Sequence, residues 1–348
     1  MRNIEFGLMT FADMEPEKES VKGTNAHRRI QDLLEEIKLA DQLGIDMFGI
    51  GEHHRPDYAV SSPTTVLGAA AAVTKNIKLS SAVTVLSSDD PVRVYQQFAT
   101  VDAISGGRAE IMAGRGSFIE SFPLFGFDLN DYNELFEEKL DLLLKINRSE
   151  KITWSGNLRA PIHDLGVYPR AVSGEIPIWL AAGGTPASAV RAAKLRLPLM
   201  LAIIGGLPRH FTPFFDLYRK SAHENGIAAE DLQVGVNNHM YVGEDADKVA
   251  SEFFPHYAKM MDRVGRSRGW QPMSRPQFDF MRAPEGSLLV GSVEQVVEKI
   301  LYQHQLFGFT RFVAQSSLGT LPHELTMKSI EIFASQVVPE VKRRLGVG

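Results

Sequence analysis

Hydrophobic and polar positions along this chain follow two alternating periods. Short apolar runs rich in β-branched or aromatic residues are separated by longer stretches in which apolar side chains recur every three or four residues. The short runs predict eight strands, at Ile4–Met9, Met47–Ile50, Ile77–Val85, Ala109–Ala113, Ile176–Ala181, Pro198–Ile203, Gln233–Val242 and Arg311–Ala314. Between them, Ile30, Leu33, Leu34, Ile37 and Ala40 keep the spacing of a helix with one buried face, as do Phe136, Leu140, Leu143 and Leu144. Ser62-Pro63, Asp90-Pro91 and Thr185-Pro186 each set a capping side chain before a proline suited to a first helical turn. Ser292 with Gln295 reads as a capping box.

Strands alternating with helices predict parallel βαβ units. A closed (β/α)8 TIM barrel and an open doubly wound sheet compete, and eight units without a second set of strands favour the barrel. A barrel takes roughly 250 residues plus insertions. The excess falls near 150–174 and 265–291, both rich in glycine and proline and without a clear period, which predicts loop insertions in a single domain spanning 1–348.

Composition narrows the function classes. Of 348 residues, 44% are hydrophobic and 23% charged, the profile of an ordinary globular protein. The net charge of −5 comes without a basic block, which argues against nucleic acid as a partner. There is no cysteine, so disulfides, thiolate nucleophiles and cysteine-ligated metals are excluded. No signal peptide and no apolar stretch approaching ~20 residues is visible, so no membrane segment is expected and the cytoplasm is the default location.

In a barrel the chemistry sits after the strand ends. Strand 2 runs into Glu52-His53-His54-Arg55, strand 4 into Gly114-Arg115-Gly116-Ser117, and strand 5 into Gly183-Gly184-Thr185-Pro186-Ala187-Ser188. Two glycines before a helix start let a ligand approach free backbone N–H groups, an arrangement suited to phosphate, though also to a plain tight turn. Arg115 between glycines offers a rigid fork of donors to the same oxyanion, or only a turn. Adjacent histidines on extended chain point apart, so a metal is not expected; one histidine facing the pocket as hydrogen-bond partner or acid/base, with Glu52 in support, competes with simple packing. Ser80-Ser81-Ala82-Val83 places small residues inside strand 3, leaving room for a flat ligand or serving ordinary packing. The substrate is expected to be chosen by 56–62, 118–132 and 265–291. In these, phenylalanines suggest an apolar wall, while Arg266, Arg268, Arg275 and Arg282 either favour an anion or face solvent.

Taken in order, Gly51-Glu52-His53-His54, Ala82-Val83-Thr84-Val85-Leu86 with Pro91-Val92-Arg93, Asp102-Ala103-Ile104-Ser105-Gly106-Gly107-Arg108, Gly114-Arg115-Gly116 and Pro177-Ile178-Trp179-Leu180-Ala181 resemble the bacterial luciferase-like flavin monooxygenases. The resemblance runs from about residue 4 to about residue 335. It implies a (β/α)8 barrel, often dimeric, that binds reduced FMN or, less commonly, a deazaflavin. Arg115, Ser117, Thr185 and Ser188, with Gly183 and Gly184, would hold the phosphate. His53 would lie at the reactive flavin edge, with Glu52 supporting the histidine pair, and the Ser81–Ala82 bond would match a non-prolyl cis peptide beneath the ring.

The implied activity is a monooxygenase passing one oxygen atom of O2 to a small organic substrate through a flavin C4a-(hydro)peroxide, with reduced flavin from a separate NAD(P)H:flavin reductase. Hydride transfer by FMN or a deazaflavin, and flavin binding without catalysis, are the alternatives. Two departures stand out: Gly184 where luciferase has a glutamate, and no counterpart of luciferase's reactive cysteine, which makes light emission an unfavoured expectation.

Overall fold

The computed structural model describes residues 4–15, 24–116, 118–172, 174–266 and 268–347. Its strands are β1 (Glu5–Thr10), β2 (Met47–Ile50), β3 (Lys78–Ser81), β4 (Thr84–Val85), β5 (Ala109–Gly114), β6 (Lys151–Trp154), β7 (Ile162–Gly166), β8 (Ile178–Ala182), β9 (Leu199–Ala202), β10 (Val234–Gly243), β11 (Leu289–Ser292) and β12 (Arg311–Gln315). Parallel pairing runs β1-β2-β3-β5-β8-β9-β10-β12 and returns to β1, closing an eight-stranded barrel. Each predicted strand has its counterpart among these eight. The third is shorter than expected, because the chain leaves the ladder after Ser81 and rejoins it only as β4.

The helices pack their apolar stripes on the outside of the barrel, and Leu33, Ile37, Phe98, Leu140, Leu143 and Ile300 lie in that layer. The capping signals divide. Asp90 accepts from Val92 N–H and Arg93 N–H, and the Ser292–Gln295 capping box forms. Ser62 and Thr185 precede their helices without capping them. Thr185 has another partner, described below.

Both expected insertions carry more order than their composition shows. Residues 150–174 contain the antiparallel β6–β7 hairpin, anchored in the main core by Ile152, Trp154 and Ile162. Within 265–291 lie a helix, Arg275–Arg282, and β11. β11 pairs with Met240–Gly243, the part of β10 that runs on beyond its pairing with β12. A four-residue strand with Gly291 inside it is invisible to periodicity; it forms because the protruding end of β10 offers it a ladder. Helix Ala246–Arg266, the Arg275–Arg282 helix, β11 and Leu318–Leu321 enclose a second apolar cluster around Phe253, Tyr257 and Phe278.

The barrel's interior is filled in layers. At its amino-terminal end, Arg311 is 2% exposed and donates to Glu110 (2.6 and 2.9 Å) and Glu5 (2.8 Å), with its guanidinium 4.0 Å from the Trp179 ring centre. Above it, Met9, Met47, Met112, Met200 and Val313 form an apolar plug. Gly7 and Gly235 admit it, since a Cβ at either would collide with Met47 or Met200.

Candidate active site

The carboxyl ends of β5 and β8 come together. Arg115 Nη2 donates to Thr185 Oγ1 at 3.0 Å and Nη1 to Asn133 Oδ1 at 2.8 Å, with Tyr132 beneath the guanidinium at 5.4 Å. Thr185 Oγ1 therefore accepts from Arg115 rather than from the first turn of helix Pro186–Lys194, which begins without a side-chain cap. Gly184, at φ +111°, makes the reversal before that turn in a conformation open to glycine. Gly183 beside it has open space where a side chain would sit. Ser188 is buried in the turn, its N–H donating to Thr185 O at 2.9 Å. An arginine fork, a hydroxyl and an uncapped helix start around two glycines form a fitting cradle for a phosphate. Ser117 lies outside the described residues. Asn133 and Tyr132 were missed in sequence; their signal is a polar-aromatic pair opening a helix that the barrel carries to the same rim.

The end of β2 carries the acid-histidine run. Both Glu52 and His53 are buried. Their side chains diverge as adjacent residues on extended chain must. Glu52 Oε1 pairs with His54 Nε2 at 2.8 Å, and Glu52 Oε2 accepts Val85 N–H at 3.3 Å. Of the histidine pair that Glu52 was expected to support, it holds His54, and it also holds the β4 backbone. Its hydrogen bond holds the His54 imidazole above its ordinary pKa, against the effect of burial.

His53 is enclosed by rings: Tyr58 at 4.3 Å, Phe118 at 4.6 Å and Phe11 at 4.8 Å between centroids. Gly51 permits this, because a Cβ there would stand 2.1 Å from Phe11. The charged partner of His53 is Glu120, 3.5 Å from Nδ1. Burial pushes the Glu120 carboxyl up, but the hydrogen bond and charge of His53, together with backbone hydrogen bonds at Glu120 and His54, outweigh burial and leave it below its usual range. Glu120 was also missed in sequence, standing within a segment read as an apolar wall.

The non-prolyl cis peptide lies between Ala82 and Val83, one residue beyond the expected Ser81–Ala82 bond. Ser81 remains in register with Ile50, and Ala82 N–H still donates to Ile50 O at 2.8 Å, so regular strand extends one position further than the resemblance implied. The Ser81 hydroxyl is engaged by Met112 N–H, Met112 O and the Thr84 hydroxyl, which leaves backbone rather than side chain at the mouth.

Beside the mouth, Asp13 is 5% exposed, and its Oδ2 lacks a partner among the described residues. It lines a cavity of about 10 Å³ with Asp57, Tyr58, His256 and Arg263, room for one water. Burial first, and the Asp57 charge in addition, raise its carboxyl to about 7 from 3.8. Between those values the unfolded chain releases this proton and the folded one keeps it, so stability falls as pH rises through the window. Asp13→Asn is therefore expected to be more stable than the parent at pH 8. The difference should vanish below about pH 4 in denaturation curves, and a constant difference across pH would refute this account.

The luciferase-like monooxygenase family matches residues 4–310. The chain belongs to this family. Limonene 1,2-monooxygenase of Rhodococcus erythropolis is 31% identical, over 93% of this chain and 84% of that protein. The FMN complex of the oxygenating constituent of 3,6-diketocamphane monooxygenase, from the CAM plasmid of Pseudomonas putida, superposes with a TM-score of 0.77 at 19% identity, covering 98% and 99% of the two chains. The coenzyme F420-dependent tetrahydromethanopterin reductase of Methanopyrus kandleri does so with 0.73 at 21% identity, covering 98% and 100%. Membership of the luciferase-like family makes the chain a flavin-dependent oxidoreductase. No helix among the described residues is long and apolar enough to cross a membrane.

Proposed function

We propose that this member of the family is an FMN-dependent monooxygenase acting on a small organic molecule. The observation that carries the reading is the Arg115–Thr185 hydrogen bond at an uncapped helix start, on the same barrel rim as a histidine enclosed in rings. Arg115, Thr185 and the Gly183-Gly184 turn would hold the flavin phosphate. Backbone at Ala82 and Val83, with His53, would meet the ring. Reduced FMN, when bound, supplies the electrons that let one atom of O2 enter the substrate while the other leaves as water.

The protein's own part is binding, orientation and exclusion of water. Phe11, Tyr58 and Phe118 shield His53 from solvent, and Glu120 fixes its Nδ1 side, leaving Nε2 to face the reacting centre as a hydrogen-bond donor or proton source. Glu52 acts one step removed, through His54 and the β4 backbone. Reduced FMN is expected from a separate NAD(P)H:flavin reductase, and the working assembly is expected to be a homodimer.

Reduced FMN mixed anaerobically with the protein and then with oxygen should reoxidise on a time course distinct from that of free flavin. His53→Ala should alter that course by tenfold or more while leaving FMN affinity within about twofold. Reoxidation at the free-flavin rate in the parent would overturn the oxygen chemistry. Equal loss of FMN binding and stability in His53→Ala would reduce His53 to a packing residue. The likeness to an F420-dependent reductase supports a second reading, hydride transfer with a deazaflavin. Tighter binding of the deazaflavin than of FMN would favour it.

A further inference from the structure

Strand register places His239 of β10, Gln315 of β12, Met9 of β1 and Gly49 of β2 side by side across the floor of the mouth. The phosphate cradle, at β5 and β8, lies across the barrel from β1 and β12. A flavin anchored there and reaching His53 on β2 leaves the β10–β12 side for a second molecule. Two residues on that side, His239 and Tyr257, each carry a buried polar atom without a hydrogen-bond partner among the described residues, His239 Nδ1 and the Tyr257 hydroxyl. They are 5% and 0% exposed. Their rings meet edge to face at 5.4 Å. Buried polar groups in folded proteins are nearly always satisfied, so two unpartnered ones on rings in contact mark a place where a partner arrives.

The chemistry of that partner follows from charge. Burial pushes the His239 imidazole down to about 4 and the Tyr257 phenol up, so both are neutral at pH 7. The nearby cations are engaged: Arg55 with Asp57 at 3.1 Å, and Arg263 with Glu15 at 3.5 Å and Asp57 at 3.7 Å. Arg275 and Arg282 are both paired with Asp279, at 2.8 and 3.5 Å. An anion entering here would lose its hydration and meet no compensating charge.

We propose that the β10–β12 side of the mouth binds a neutral oxygen of the substrate, a carbonyl or hydroxyl on an apolar skeleton, through the Tyr257 hydroxyl and His239. The inference rests on the flavin reading of the opposite side and narrows it to neutral, oxygen-bearing substrates. Tyr257 and His239 are specificity-determining residues in this assignment.

The test uses the full protein saturated with FMN and titrated with cyclohexanone, cyclohexanol, methylcyclohexane and cyclohexanecarboxylate, with binding followed by saturation-transfer NMR. The ketone and alcohol should bind at least tenfold more tightly than the carboxylate. Tyr257→Phe should weaken the ketone about tenfold, the worth of one buried hydrogen bond, and leave the hydrocarbon unchanged. Because the hydroxyl has no hydrogen-bond partner among the described residues, its removal should leave the melting temperature unchanged or raised, which separates lost recognition from lost folding. Equal affinity for ketone and hydrocarbon, tight binding of the carboxylate, binding of none of the four, or an unchanged ketone affinity in Tyr257→Phe would each overturn the proposal. Failure of FMN to bind before any probe is added would instead remove the flavin reading, and this one with it.

Discussion

Replacing Arg115 by alanine is expected to weaken FMN binding by one to two orders of magnitude. The guanidinium is the only charged group in the Arg115–Thr185–Asn133 cluster, and a phosphate held there would lose charge-assisted hydrogen bonds worth about 1.5–3 kcal/mol. The arginine's neighbours should not compensate. Thr185 and Asn133 are neutral, and the helix start contributes only partial charge, of the order of 0.3–1 kcal/mol. Thr185→Ala should therefore cost less, within about tenfold, because it removes a hydroxyl that both touches the ligand and holds Arg115. Arg115→Lys should restore charge without the fork and fall between the two. Fluorescence titration of FMN measures all three. An Arg115→Ala protein with parental affinity would move the phosphate to another part of the rim.

The largest loss of stability is expected from Arg311→Met. Arg311 joins Glu110 and Glu5 at the closed end of the barrel, with Trp179 against its face. Glu110 is 2% exposed, so removing the guanidinium leaves a carboxylate buried without its cation, a change that typically costs about 3–5 kcal/mol. The pair itself adds little over an apolar replacement, so Arg311→Met combined with Glu110→Gln should recover much of the loss.

Glu5 gives the acid limb of the same test. Burial pushes its carboxyl up, but the charges and hydrogen bonds of Arg311 and Lys78 outweigh burial and leave it below 4.5. A folded-state value below the unfolded one means a contribution that is full above about 4.5 and lost as pH falls through the folded value. Arg311→Met should show a shallower decline in stability on acidification than the parent. Urea denaturation across pH measures both effects, and a single variant as stable as the parent would remove the ion cluster from the fold's support.

The barrel strands are legible in the sequence because each is a buried run bounded by a polar turn, and burial on both faces leaves an unmistakable apolar signature. The rim chemistry is legible for a related reason. Glu52-His53-His54 and Gly114-Arg115-Gly116 interrupt apolar runs where a strand must end, and a barrel gives every strand end the same address. Glu120, Asn133 and Tyr257 were not legible. Each stands in a stretch whose local pattern is ordinary, and each acquires meaning only from a partner 18 or more residues away, as Asn133 does from Arg115. β11 was hidden for the same reason, since its ladder belongs to the far end of β10.

What the sequence determined by itself is the order of strands and helices, the closed sheet they imply, and the meeting of an arginine loop with a glycine turn at one rim. Those follow from local periodicity and from the fixed geometry of parallel βαβ units, which bring strand ends to one rim whatever the loops contain. The tertiary structure alone decided which acid serves which histidine, where the chain leaves β3, and which polar atoms stay unpartnered at the mouth. Those depend on side-chain directions and on registers between distant strands. A shift of one residue turns every side chain of a strand to its other face. The same alternation is why Glu52 turns to His54 while His53 meets Glu120.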